Sequence, residues 1–411
     1  MRPGYKQTEV GVIPEDWEVK SLGSFGDFSK GRGIRKDEAQ SGDLPCVRYG
    51  EIYTHHNDII RECNSRISQS VAKTAKVLKH GDVLFAGSGE TKEEIGKAVA
   101  FVSFDEAYAG GDIIIFSPHN SSSEFLGYLL NAPYVTRQKA SKGQGDAIVH
   151  ISANALASII LSVPPLSEQR AIATALSDVD ALLDGLDRLI AKKRNIKQAA
   201  MQQLLTGKTR LPGFTGEWEV KRLGEVAETD PENLGSSIKP SYTFNYIALE
   251  NVNCGCLEGY SEVTYSMAPS RARRKLQEGD ILIATVRPSL KAHLLFKGFT
   301  GEWVCSTGFC VIRCRQKSSN PEYLIQHFFS HTINKQIEEL IAGSNYPAIN
   351  NKDVRALVVI VPPYEEQTAI AAILSDMDAE IAALEARRNK TRNLKQAMMQ
   401  ELLTGRTRLN N

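Results

Sequence analysis

The chain is written twice. Trp17-Glu18-Val19-Lys20-Ser21-Leu22-Gly23 returns as Trp218-Glu219-Val220-Lys221-Arg222-Leu223-Gly224. Gly81-Asp82-Val83-Leu84-Phe85-Ala86 returns as Gly279-Asp280-Ile281-Leu282-Ile283-Ala284, and Val163-Pro164-Pro165 as Val361-Pro362-Pro363. Three ordered matches at a spacing of about 200 residues mean a tandem duplication, because stacked-repeat proteins have far shorter periods. The chain is therefore expected to fold as two related halves. Similarity between the halves is uneven. From Val163 to Leu211 and from Val361 to Leu409 more than half the positions are identical, whereas 24–80 and 225–278 barely align. Uniform drift does not produce that split.

The conserved closing segments read as long helices. In each copy Pro-Pro stops a strand, predicted at Ile159–Val163 and Leu357–Val361, whose ladder it cannot continue. Apolar residues then fall at Ile172, Leu176, Val179, Leu183, Leu186 and Ile190, alternating steps of four and three as in a heptad seam. The second copy has Ile370, Leu374, Met377, Ile381 and Leu384. Both seams then shift phase, to Ile196, Ala200, Leu204 and to Leu394, Met398, Leu402. Gly185 is the one weak point of the first helix, and Gly207 and Gly405 stand where a left-handed C-terminal residue is wanted. About 40 helical residues make a rod some 60 Å long, and matching seams make each helix the natural partner of the other. The diverged front segments read as mixed α/β, with strands at Val83–Ala86, Ile113–Phe116 and Ile281–Thr285 and short helices at Phe125–Leu130 and Glu322–His331.

Composition excludes several function classes. Lys+Arg is 49 and Asp+Glu 48, so nucleic-acid binding has to come from local patches. No signal peptide opens the sequence and no apolar run reaches the roughly 20 residues of a membrane helix, so a cytoplasmic protein with no membrane partner is expected. The 7 cysteines are expected as reduced thiols. Cys254-x-Cys256 with Cys305, Cys310 and Cys314 fits no common zinc spacing, so no metal site is expected.

Three motifs resemble catalytic ones and fail on inspection. Asn131-Ala132-Pro133-Tyr134 has Ala where adenine methyltransferases need Pro, and no Gly-rich cofactor loop precedes it. Asp82 with Glu90-x-Lys92 is like a metal-dependent nuclease triad, yet the second copy puts Pro288 and Leu290 at the latter positions. Gly207-Lys208-Thr209 ends a helix instead of opening one, as a phosphate loop must. No catalytic residues are assigned.

The motifs, in order and twice over, are similar to those of the specificity subunits of Type I restriction–modification systems. The likeness rests on the opening run Gln7–Trp17, the two Gly-Asp strands, and Val-Pro-Pro followed by Glu168-Gln169 or Glu366-Gln367. It continues in Leu-Ser-Asp-x-Asp at Leu176–Asp180 and Leu374–Asp378, in Lys-Gln-Ala, and in Leu-Leu-Thr-Gly. It spans essentially the whole chain. The resemblance implies an α/β (mixed α+β) fold with a pseudo-two-fold repeat. Two target recognition domains, 1–165 and 211–363, each read half of a double-stranded DNA site. Two long helices, 166–210 and 364–411, pair antiparallel as a coiled-coil spacer and dock two methyltransferase subunits. Restriction/translocase subunits can join. The chain itself is then non-catalytic and without cofactor, with S-adenosylmethionine, and ATP with Mg, on partner subunits. On a rod of that length the readers can sit at least one DNA turn, about 34 Å, apart. Shared helices suit identical partners and diverged readers suit different half-sites, so an asymmetric bipartite target is expected. The competing readings are a coiled-coil scaffold without a DNA role and a methyltransferase acting alone.

Reading residues are sought in the loops after the repeated strand. Ser88, Glu90 and Lys92 lie in the first copy; Arg287 and Lys291 lie in the second. Arg and Lys suit guanine, and Glu can accept from cytosine N4. A second polar loop precedes each last strand, with Lys142 and Gln144 in one copy and Asn345 and Tyr346 in the other. Lys30, Arg32, Arg35 and Lys36 form a basic loop suited to phosphates, and Arg271 and Arg274 are basic residues ahead of the second Gly-Asp strand. Partner docking is assigned to Gln169, Asp178, Lys193 and Arg194 on the first helix and to Gln367, Asp376, Arg388 and Lys395 on the second.

Overall fold

The computed structural model describes residues 3–235, 237–298, 300–341 and 347–409. It divides into two compact units, one formed by Met1–Leu186 with Arg387–Asn411, the other by Asp187–Ala386. The division falls within both long helices and not at their ends, because each helix end is packed onto the body beside it.

In the first unit Val83–Ala86 is the centre of a five-stranded sheet. Ile113–Pro118 and Ala98–Phe101 flank it antiparallel, Gly26–Lys30 forms one edge, and Ile59–Ile60 joins the other edge in parallel. Side chains alternate across a strand, and here both faces are apolar. Val83 and Phe85 enter one core, while Leu84 and Ala86 enter another. The second unit repeats this. Ile281–Ala284 sits between Phe309–Cys314 and Leu294–Leu295, with Ala227–Thr229 at the edge. Ile281 and Ile283 face one core, Leu282 and Ala284 the other.

A separate four-stranded sheet lies in each unit, and its order is the same in both. Ser65–Ile67, Leu44–Val47, Ala107–Ala109 and Lys76–Leu78 correspond to Ser261–Thr264, Thr243–Ile247, Trp303–Ser306 and Ala272–Lys275. The middle pair is parallel and the outer pairs antiparallel in both sheets. The segments that barely align thus keep one topology. Glu18–Ser21 pairs with Ile160–Val163, and Glu219–Arg222 with Val358–Val361, closing each body just before Pro-Pro. Among the helices not predicted from sequence are Pro133–Lys142 and His331–Ile341, the longest of them.

The long helices run Leu166–Leu204 and Tyr364–Leu402, 39 residues each, and the first passes through Gly185 unbroken. In the first unit Ile172, Ala173 and Leu176 share a core with Leu402 and Leu403. In the second, Met201, Leu204 and Leu205 share one with Ile370, Ala371 and Leu374. The start of one helix therefore lies beside the end of the other in each unit, which is antiparallel pairing. One part of the expected seam is corrected. Ile196 and Leu394 are 45% and 55% exposed. The next residue in each case, Lys197 or Lys395, turns inward to pair with an aspartate, Asp378 or Asp180.

Candidate nucleic-acid interface

The repeated Gly-Asp braces the start of the inner strand in each unit. Gly81 and Gly279 adopt φ of 91° and 86°. The buried Asp82 accepts the Lys79 N–H at 2.8 Å and the Ser117 hydroxyl at 2.6 Å. Asp280 accepts the Gln277 N–H at 2.8 Å and the Nε–H and Nη2–H of Arg313, each at 2.8 Å. Asp82 is thus a structural aspartate, committed to the start of its strand.

At the other end of that strand the two loops singled out from sequence are joined. Ile151 N–H donates to Gly87 O at 3.0 Å, and its counterpart Ile349 N–H donates to Thr285 O at 2.9 Å. Ser88–Gly89 then pairs with Val149–His150. In the second unit Val286 bridges Ala348, and Arg287 N–H donates to Pro347 O at 2.8 Å. In the first unit Glu90, Thr91, Lys92 and Glu93 face Gly145, Asp146 and Val149 across an open cleft. The basic loop Lys30–Lys36 leaves the same sheet end, since Lys30 pairs with Ile114 and Ile113 with Ala86.

Most of the expected reading residues reach solvent. Lys30, Arg32, Arg35, Lys36, Glu90, Lys92, Gln144, Arg271 and Arg287 are exposed, and Lys142 and Lys291 are half-buried. Asn345 and Tyr346 lie outside the described residues. Two assignments are corrected. Ser88 is buried and its hydroxyl bonds His150 Nδ1 at 2.9 Å. Arg274 turns onto the buried Asp230 at 2.5 Å, so its charge is neutralised inside its own unit. The cleft loops of the first unit carry Glu90, Glu93 and Asp146 beside Lys92, a lining suited to base amino groups more than to phosphates. Sequence reasoning missed the exposed His150 opposite Ser88 and the 65%-exposed Leu290 beside Lys291. Leu290 has no residue-type signal, because its exposure is decided by the turn Pro288–Leu290.

The helix positions expected to dock partners divide into two groups. Asp178 and Asp376 are exposed. Lys193 and Arg194 pair along the helix pair with Glu380 at 2.6 Å and Glu385 at 2.5 Å, and Arg388 bonds Asn389. Gln169 and Gln367 are corrected: both are buried and hold their own body. Gln169 accepts the Ser122 N–H at 2.9 Å and donates to Pro164 O at 2.9 Å. Gln367 accepts the Asn320 N–H at 2.8 Å and donates to Pro362 O at 2.9 Å. Lys395 is also corrected. Its ammonium lies 2.7 Å from both Asp58 and Asp180 and over the Tyr128 ring. Burial pulls its pKa down, but the two carboxylates outweigh that and hold it above the usual lysine value.

The strongest sequence signature is a clamp at the helix ends. Trp17 Nε1–H donates to Glu168 at 3.0 Å, and Arg408 holds the same carboxylate at 2.7 and 2.8 Å while also bonding Asp16. In the second unit Trp218 donates to Glu366 at 3.0 Å, and Arg210 holds it at 3.1 and 2.5 Å. Asn131, of the methyltransferase-like tetrapeptide, spends its amide on Ala98, Gly127 and Asp58. Among the described residues no cluster of three or more His, Cys, Asp or Glu is placed to hold a metal, and no helix is long and apolar enough to cross a membrane.

Comparison with known proteins agrees with this duplicated architecture. The family described as Type I restriction modification DNA specificity domain matches residues 14–195 and again 215–392. A putative type I restriction enzyme MjaX specificity subunit of Methanocaldococcus jannaschii is 26% identical, over 98% of this chain and 97% of that protein. The type I restriction enzyme EcoKI specificity subunit of Escherichia coli K12 is 23% identical, over 96% of this chain and 90% of that one. In fold the chain is similar to the crystal structure of a Type-I restriction-modification S subunit from M. genitalium. That match has a TM-score of 0.61 and 15% identity over 98% of this chain and 99% of the other. A chain from a structure of type I R-M complex assembly and conformational transition gives a TM-score of 0.56 at 21% identity, over 96% of this chain and 99% of that one. With the family matched in both halves, the chain belongs to the Type I restriction modification DNA specificity family, whose role is DNA recognition.

Proposed function

We infer that each unit reads one half of an asymmetric, bipartite double-stranded DNA site through the loop pair at its sheet end. One observation carries this reading. The two loop pairs share a backbone scaffold, Gly87–Ile151 and Thr285–Ile349, yet present different side chains. One offers Glu90, Lys92 and Gln144, the other Arg287 and Lys291. A common frame with unlike chemistry is what two different half-sites require. The basic loop Lys30–Lys36 supplies phosphate contacts.

The chain serves as a non-catalytic subunit. Residues 1–165 and 211–363 carry the readers, and 166–210 and 364–411 carry the spacer helices and the dock for two methyltransferase subunits. Asp178 and Asp376, exposed at equivalent positions, support the dock. S-adenosylmethionine, and ATP with Mg where restriction/translocase subunits join, belong to those partners, and the complex works in the cytoplasm. Single-molecule sequencing of DNA methylated in the presence of this chain and its methyltransferase tests the proposal. Two unlike half-sites separated by unspecified bases are expected, and a palindromic motif would overturn it. Binding of S-adenosylmethionine to the purified chain alone would favour a methyltransferase acting by itself.

A further inference from the structure

We propose that Leu290 is a specificity-determining residue of the second unit, reading a thymine through its 5-methyl group. This rests on the loop pair being a DNA reader. Leu290 is 65% exposed although it belongs to a well-braced turn. The turn Pro288–Leu290 is a single 3-10 turn between Arg287 and Lys291, both of which adopt left-handed backbone with φ of 49° and 54°. Neither is glycine, and such a conformation is held only where surrounding structure over-determines it. That structure is visible. Arg287 N–H is bonded to Pro347 O, Leu290 N–H to Arg287 O at 3.0 Å and Lys291 N–H to Pro288 O at 2.9 Å, while Pro288 is buried.

The outcome is a rigid aliphatic knob between two cations at the end of the sheet. Cations draw the turn toward a polyanion, and a lone aliphatic side chain between them has one complementary group on a duplex edge. In the major groove that group is the thymine methyl, the sole apolar feature by which base pairs differ there. The first unit has no such knob at the aligned position, which is Lys92. The contact therefore belongs to one half-site only.

The test uses the full chain with its methyltransferase subunit and duplexes carrying the methylated motif. Deoxyuridine, which lacks the methyl, replaces thymidine at one position at a time. One substitution, in one half-site, is expected to weaken binding about threefold to fivefold, the equivalent of one buried methyl. Leu290→Ala should bind the natural and that substituted duplex equally, while Leu290→Met should keep the discrimination. Sensitivity to deoxyuridine that persists in Leu290→Ala, or that appears at no position, would overturn the assignment while leaving the reader loops in place. Loss of all preference for the motif over random DNA in the unsubstituted chain would sink the reader reading and this inference together.

Discussion

Glu366 shows how much one residue can carry. It is fully buried and binds Trp218 and Arg210 together. Glu366→Gln keeps an acceptor for the indole but loses the charge-assisted pair. It is expected to cost about 1.5–3 kcal/mol, seen as an earlier urea midpoint in tryptophan fluorescence. Lys139 is a second case. Its side chain is buried and its ammonium donates to Gly96 O at 2.7 Å. Burial, reinforced by Lys97, pushes its pKa down to about 7 from 10.5. Between those values the unfolded chain binds the extra proton, so stability rises with pH across that window and the penalty is complete below about 7. Lys139→Met should flatten the difference in urea midpoint between pH 7 and pH 9.5. A slope equal to that of the unsubstituted chain would refute the buried-charge account.

At the scale of elements, equivalent positions differ in ways only packing reveals. Gly405 and Gly207 both end a long helix with φ near 70°. A Cβ at Gly405 would meet Pro14 at 2.5 Å, whereas at Gly207 it would meet the Trp218 ring at 3.1 Å. Each Gly→Ala change should cost about 1–2 kcal/mol for the backbone alone, with Gly405→Ala the worse, as differential scanning calorimetry can show. The helix lysines differ likewise. Lys395 faces Asp58 and Asp180 in a mostly buried cage, while Lys197 pairs with the half-exposed Asp378. Removing the first strands two carboxylates and should cost about 3–5 kcal/mol. The second should cost under about 1 kcal/mol. Thermal unfolding of Lys395→Met and Lys197→Met compares them directly.

For the whole molecule, duplication supplies one scaffold twice and lets the reading surfaces change separately. Replacing Arg287 with Gln should alter one half of the methylated motif and leave the other half intact, checked by sequencing methylated DNA. Charge reversal of Arg32 and Arg35 should weaken binding to specific and random DNA alike and reduce the salt dependence, since phosphate contacts release counterions.

The repeat, the strands around Gly-Asp, the long helices and the family were legible in the sequence, because each leaves a periodic or recurrent pattern along the chain. The pattern did not reveal which recurrent residues were structural. Gln169, Gln367 and Lys395 looked like a docking surface; the two glutamines are buried tethers and Lys395 is a half-buried one. Arg274 looked like a DNA contact and neutralises Asp230. Those outcomes depend on side chains far apart in sequence meeting in low dielectric, where an unpaired charge is too costly to leave. Sequence determined the two-fold plan of this protein. Tertiary structure alone decided which polar residues are spent holding it together and which remain exposed at the sheet ends.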